Sequence, residues 1–437
     1  MPVTRREFLI AASAGGLALA GCGDAAERLV DPSLAIKPDL PLDLNKVEHV
    51  IVTMMENRSF DHYMGWLPQA DAKNAGLSYP DRNGVFQKTY PLAPDFQGCG
   101  FNDPDHSMEG GRIELNNGAC DGWLLAGNND RFAIGYYRRE DLPFLGQAAT
   151  TWTTFDRYFC SFLGPTYPNR MYQHSAQTDR LTNSLIISEL PTIWDRLADA
   201  GVSARYYFSD VPFLGLWGAK YVSIGRTFSQ FEADCAAGTL PAVSFVEPGF
   251  FFSPFGVSND DHPFADIRAG QTFMNRVYQA VAQSPNWSST VLVINYDEWG
   301  GFFDHVPPPS GSTEPAEQQL GYTDGLLGFR VPVVLVSPFA PRRMVSHQVF
   351  EHCSILKLIE QRWNLAPLTQ RDANANSLAS VLVDGKDATK APPTYAVPTV
   401  EGSTCPVAAT GPSIRAVPEE APWGQLQQLA RQYGWPV

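Results

Sequence analysis

The chain has 437 residues, 44% hydrophobic and 18% charged, with a formal net charge of −14 and a pI near 5.0. That is enough apolar chain to bury a large core. The acid excess argues against nucleic acid as a partner, because phosphate backbones are bound chiefly through Lys and Arg.

Residues 1–21 read as an export signal. Thr4-Arg5-Arg6-Glu7-Phe8-Leu9 is a twin-arginine pattern, and the apolar run 9–20 that follows is too short to span a bilayer. The run closes in Leu19-Ala20-Gly21-Cys22, similar to a bacterial lipobox, so Cys22 is the candidate lipidation site. The expected location is therefore periplasmic or cell-surface, with the chain held at the membrane by a lipid anchor. Residues 22–45 are polar and proline-containing, and read as a tether. Beyond Cys22, an exported location permits disulfides among Cys99, Cys120, Cys160, Cys235, Cys353 and Cys405, but spacing selects no pairing. Cys160 and Cys353 have apolar neighbours and fit the core.

Residues 47–63, VEHVIVTMMENRSFDHY, run from apolar residues straight into Glu56, Asn57, Arg58, Ser59, Asp61 and His62. This predicts a buried strand delivering polar groups at its carboxyl end, the edge where open α/β sheets bind ligands. Residues 65–150 are rich in Gly, Pro, Asn and Asp and predict long loops with short helices, among them Asn102-Asp103-Pro104-Asp105-His106-Ser107. In 159–172, FCSFLGPTYPNRMY, Gly164, Pro165 and Pro168 predict an irregular turn around Thr166. A helix over 191–200 precedes a strand over 204–208, and a further short strand over 241–247 ends in Glu247. The helix over 266–283 aligns Ile267, Met274, Val277, Tyr278 and Val281, and follows Asp261-His262-Pro263. Residues 290–296, TVLVINY, form a second buried strand that opens into Asp297-Glu298-Trp299-Gly300-Gly301 and then Asp304-His305. A strand over 331–337 and a helix over 354–363 complete the pattern. Alternating strands and helices predict one α/β domain, 46–437, with a mostly parallel central sheet sandwiched by helices. Residues 386–437 form its docked tail, with an amphipathic segment over 423–433.

There is no G-x-S-x-G, H-E-x-x-H, P-loop or C-x-x-C. What the chain offers instead is Glu56 with Asn57 after one strand and Asp297 with Glu298 after another. If those strands are neighbours, the four groups meet, and close carboxylates repel unless a cation neutralises them. Oxygen donors favour Ca²⁺, Mg²⁺ or Mn²⁺; recruitment of His106, His262 or His305 shifts the balance toward Zn²⁺ or Fe.

Thr166-x-Pro168-x-Arg170 resembles the nucleophile turn of the alkaline phosphatase superfamily. The segments ENRSFDHY (56–63), DPDHS (103–107), GPTYPNRMY (164–172), DDHPFADIRAG (260–270), INYDEWGGFFDHVPPP (294–309) and FRVPVVLVSPF (329–339) are similar, in this order, to the bacterial phosphoesterase family of phospholipases C and acid phosphatases. The resemblance implies an alkaline phosphatase-like fold. It implies cation binding by Glu56, Asn57, Asp297 and Glu298, and Thr166 as the nucleophile. His106 and His262 would contact the phosphoryl group or protonate the leaving oxygen. Asn169, Arg170 and His305 are the candidate substrate contacts. Family members commonly carry histidine where this chain has Trp299, so a role for that imidazole is absent or passes to His305. The expected activity is phospholipase C-like hydrolysis of a phosphate ester or phospholipid. Broad acid phosphomonoesterase action, or a catalytically silent surface-anchored binding protein, are the alternatives.

Overall fold

Two runs of seven wholly buried residues, HVIVTMM and TVLVINY, lie side by side at the centre of the sheet. The computed structural model describes residues 41–250, 258–384, 391–405 and 421–437, all within the unit Leu40–Val437. Residues 1–21, read above as an export signal, and Cys22 lie outside the described residues. Eight strands make the main sheet: β1 (His49–Met55), β2 (Thr153–Phe155), β3 (Ala204–Phe208), β4 (Gly225–Thr227), β5 (Val243–Val246), β6 (Thr290–Tyr296), β7 (Val334–Val336) and β8 (Val345–Ser346). Their spatial order is β8-β2-β7-β6-β1-β5-β3-β4. β1 is parallel to β5 and β6, and among these strands β7 alone opposes the others.

The register positions the site. His49 faces Thr290 and Met55 faces Tyr296, so Glu56 and Asp297 leave the sheet at the same level on adjacent strands. On the other side of β1, Thr53 faces Val246, which brings Glu247 to the same edge. Burial on both faces explains why β1 and β6 read as continuous apolar runs and not as alternating ones. A Leu292→Ala or Ile51→Ala truncation there would cost roughly 2–5 kcal/mol.

The principal helices are α1 (Phe60–Met64), α2 (Met108–Leu115), α3 (Thr166–Ser175), α4 (Ile193–Asp199), α5 (Phe228–Ala237), α6 (Ile267–Ala282), α7 (His352–Trp363) and α8 (Trp423–Gln432). Where the residue pattern predicted an irregular turn around Thr166, the chain instead begins α3. Pro165 occupies the N-cap position and Pro168 the first turn, where a missing N–H breaks no helical bond. Asn169 fixes this entry by accepting from Phe162 N at 2.9 Å and donating to the carbonyls of Phe162, Gly164 and Pro165. The short strands β2, β4 and β8 were not expected. Each has only two or three residues, too few to carry a periodic pattern.

Residues 391–405 run along α6, where Tyr278 Oη donates to Pro393 O at 2.6 Å and Thr272 Oγ1 to Pro398 O at 3.1 Å. Cys405 is disulfide-bonded to Cys99. Cys160 and Cys353 are free and buried. In α8, Trp423, Leu426 and Ala430 are buried, and Trp423 stacks on Phe250 at 4.0 Å. No described helix is long and apolar enough to cross a membrane.

Candidate active site

Glu56, Asn57, Asp297 and Glu298 are all fully buried where β1 and β6 end. Asn57 N and Glu298 N both donate to Asp297 Oδ1, at 3.1 and 2.7 Å, which locks the two strand ends together. Asn57 adopts a left-handed backbone, φ 56°. Gly300 is required beside it: its N donates to Glu298 Oε2 at 2.6 Å, and a Cβ there would sit 2.3 Å from Asn57 O. Burial first, and then Asp260 and Asp297, push the Glu56 carboxyl well above the usual carboxylate range. Burial and then Asp297 do the same to Glu298. Asp297 is raised by burial to about 6, with Arg170 acting against the rise.

Arg170 occupies the centre of this edge. Its guanidinium lies 2.6 Å from Glu247, 3.0 Å from Asp297 and 3.7 Å from Glu56. Its outer face packs on Phe250 and Trp423, 4.7 and 5.5 Å from the ring centres. One cation therefore serves three buried acids, while among the described residues Glu298 and Asp260 have no salt-bridge partner. Among the described residues, Glu56 Oε1 and Oε2, Asn57 Oδ1, Glu298 Oε1 and Asp260 Oδ2 are buried without a hydrogen-bond partner. Buried polar atoms in that state are costly unless something else engages them.

Two imidazoles close the site. His106 Nδ1 donates to Pro104 O at 2.8 Å, which leaves Nε2 as the acceptor for Asn57 Nδ2 at 3.3 Å. That contact takes up the Asn57 amide nitrogen and leaves its carbonyl oxygen buried without a hydrogen-bond partner among the described residues. His262 Nδ1 donates to Pro263 O, so its Nε2 carries the lone pair, 3.9 Å from Asp103 and without a hydrogen bond. The rings are 5.8 Å apart, and burial together with His106 lowers His262 to about 3.

Thr166, the first residue of α3, is fully buried, and its Oγ1 lacks a hydrogen-bond partner among the described residues. Arg170 lies four positions further along the helix, so the two share a helix face. Each of the three expected substrate contacts is engaged within the protein. Asn169 shapes the turn, Arg170 binds acids, and His305 is held at both nitrogens, by Asp61 at 2.5 Å and Asp71 at 2.9 Å.

The match to the phosphoesterase family model runs over residues 47–366, spanning every segment of the site. The chain belongs to the phosphoesterase family. It is a phosphoric ester hydrolase, as the motif pattern implied. The phosphoesterase is 32% identical over 460 residues to phospholipase C B of Mycobacterium tuberculosis, covering 86% of this chain and 85% of the relative. It is 33% identical to non-specific phospholipase C6 of Arabidopsis thaliana, over 77% of this chain and 72% of that one. Among solved structures, the lipoteichoic acid synthase LtaP from Listeria monocytogenes aligns with TM-score 0.41 and 9% identity, covering 78% of this chain and 75% of the other.

The phosphoesterase brings Glu56, Asn57, His106, His262, Asp297 and Glu298 into one linked group. Asp260 and Asp103 were missed as members, although both lie in the recognised segments beside His262 and His106. Burial raises Asp260 to about 8, and its Oδ1 accepts from His262 N at 3.0 Å. A second group, Asp61, Asp304 and His305, offers three ligand atoms within 4.8 Å of one another and is a possible metal site by donor type. Arg330 already fills it, 2.9 Å from Asp304 and 3.1 Å from Asp61.

Proposed function

We propose that this phosphoesterase is an exported, divalent-cation-dependent phospholipase C-like enzyme using Thr166 as nucleophile. The observation that carries the reading is the set of buried, unpartnered oxygens on Glu56, Asn57, Glu298 and Asp260. The donor set fits a hard divalent cation, Ca²⁺, Mg²⁺, Mn²⁺ or Zn²⁺, held by Glu56, Asn57, Asp297 and Glu298. When bound, such an ion neutralises phosphoryl charge and eases ionisation of a nearby hydroxyl. The relatives named phospholipase C support a phospholipid or related phosphate ester as substrate.

Thr166 Oγ gives up its proton to water and attacks phosphorus in line as the P–O bond to the leaving oxygen breaks, forming a phosphothreonine, helped by the positive end of α3. His262 is the better acid of the two imidazoles, since its Nε2 has no hydrogen bond among the described residues. An entering phosphate anion raises its proton affinity, Nε2 takes up a proton from solvent, and it then gives that proton to the leaving oxygen. His106 orients Asn57. Water afterwards releases the phosphoryl group from Thr166. Arg5-Arg6 and Cys22 support export followed by lipid anchoring.

The test compares turnover of a choline phosphodiester with that of a chromogenic phosphomonoester, before and after chelation. Preferred, chelator-sensitive turnover of the diester is expected. Preference for the monoester would make this an acid phosphatase, and no turnover of either ester with cations supplied would leave a binding protein.

A further inference from the structure

A buried carboxylate that no step above uses lies beneath both walls of the site. Glu114, on α2, is fully buried, and each of its oxygens accepts one hydrogen bond. Oε2 accepts from Trp299 Nε1 at 2.8 Å, and Oε1 accepts from Asn129 Nδ2 at 3.1 Å. Trp299 directly follows Glu298. Asn129 passes the contact onward, its Oδ1 accepting from Asp105 N at 2.6 Å, and Asp105 directly precedes His106. The indole reaches Glu114 across Gly111, where a Cβ would lie 2.8 Å from Trp299 Cζ2.

We propose that Glu114 is a positioning residue that ties the Glu298 wall of the site to the His106 wall. One arm runs through Trp299 to the end of β6; the other runs through Asn129 to the loop carrying His106 and, through it, Asn57. An isolated structural carboxylate needs only partners, whereas this one divides its two oxygens between the end of β6, which presents Glu298, and the loop whose His106 holds the Asn57 amide. Partners of this kind set ligand orientation, and their loss commonly lowers affinity or activity by about 10-fold to 100-fold. The proposal rests on Asn57 and Glu298 holding a cation.

Glu114→Gln keeps the shape but turns one acceptor into an N–H₂ group facing a donor, so one arm must break. The experiment measures kcat, KM and Mn²⁺ affinity by calorimetry. It also records the Trp299 indole ¹⁵N–¹H resonance, identified by its absence in Trp299→Phe. A fall in kcat and in Mn²⁺ affinity of about 10-fold or more is expected, with KM within about twofold and a shifted indole resonance. Asn129→Ala, which cuts the His106 arm and a bond to Trp123 O but spares the Trp299 arm, should reproduce part of the loss without moving the indole signal. Trp299→Phe with Glu114→Gln should recover part of it by removing the facing donor. Parental kcat and Mn²⁺ affinity in Glu114→Gln would overturn the brace, and so would an unfolded variant, which would make Glu114 a folding residue. If Glu56→Gln and Asp297→Asn leave turnover and Mn²⁺ binding intact, the cation reading fails instead, whatever Glu114 does.

Discussion

Two buried acid groups grow from the same pair of strands, and only one of them is saturated. In the Asp61–Asp304–His305 knot every carboxylate oxygen accepts a bond: Asp61 from Lys73 N, Arg330, and His305 through its N and Nδ1, and Asp304 from Val306 N, Asp61 N and Arg330. Five residues upstream of Asp61 and seven upstream of Asp304, Glu56 has neither oxygen hydrogen-bonded, while Asp297 shares Arg170 with Glu247. By ligand spacing alone the knot is the tighter group. By unmet hydrogen-bonding demand the other is the one proposed to hold the cation. Close packing of acids does not by itself identify a cation site, because a guanidinium can do the neutralising.

The largest way to sharpen the contrast lies at Thr166. Thr166→Ala and Thr166→Val should each slow turnover by at least ~10³ while cation binding stays parental, and Thr166→Ser should keep substantial activity. Near-parental turnover in Thr166→Val, measured by steady-state kinetics, would falsify the covalent route and favour direct attack by water.

Breaking the saturated knot should affect the fold and not the cation. Arg330→Met leaves Asp61 and Asp304 buried without their counter-charge, and should cost about 3–5 kcal/mol in urea unfolding. Mn²⁺ affinity in the protein that remains folded should be unchanged. A large drop in affinity would mean the two groups are not separable.

At the unsaturated site, burial, with repulsion from neighbouring acids such as Asp297, pushes Glu56 and Glu298 well above the usual carboxylate range before a cation enters. Cation binding should then release about one proton or more, read as a buffer-dependent enthalpy in calorimetry. Glu56→Gln should abolish activity and raise the thermal midpoint of the cation-free protein, since a neutral amide is spared the penalty that burial, Asp260 and Asp297 place on an ionisable carboxyl there. A lowered midpoint in that state would argue against that penalty.

The smallest effect is the pH dependence of the knot. Although burial acts to lower it, the bond to Asp61 raises His305 above its ordinary value. His305 thus contributes stability that is complete below about pH 6.5 and fades as pH rises through its folded pKa. Burial acts to raise Asp71, but Arg157 and His305 hold it at about 2, so its contribution is present above about pH 4 and fades as pH falls toward 2. In thermal midpoints measured across pH, His305→Gln should remove the alkaline slope that His305 contributes. An unaltered slope would assign it to another group.

The apolar runs at 49–55 and 290–296, each opening into acids, determined that strands would deliver Glu56 and Asp297 to a sheet edge. Composition and alternation likewise determined an α/β fold with a mostly parallel sheet. This was legible because a strand buried on both faces must be apolar throughout and must become polar where it leaves the core. Only the tertiary structure decided which acids would share a cation. Arg170 lies more than 100 residues from both Glu56 and Asp297, yet its helix brings it between them. Arg330 reaches Asp61 across 269 residues and turns a donor cluster into a closed ion pair. The pairing of Cys99 with Cys405, 306 residues apart, was equally invisible, as was the route from Glu114 to both walls of the site. Local sequence sets what each segment buries and where it turns. The balance of charge at a buried point depends on every segment that packs there, and that sum exists only once the chain has folded.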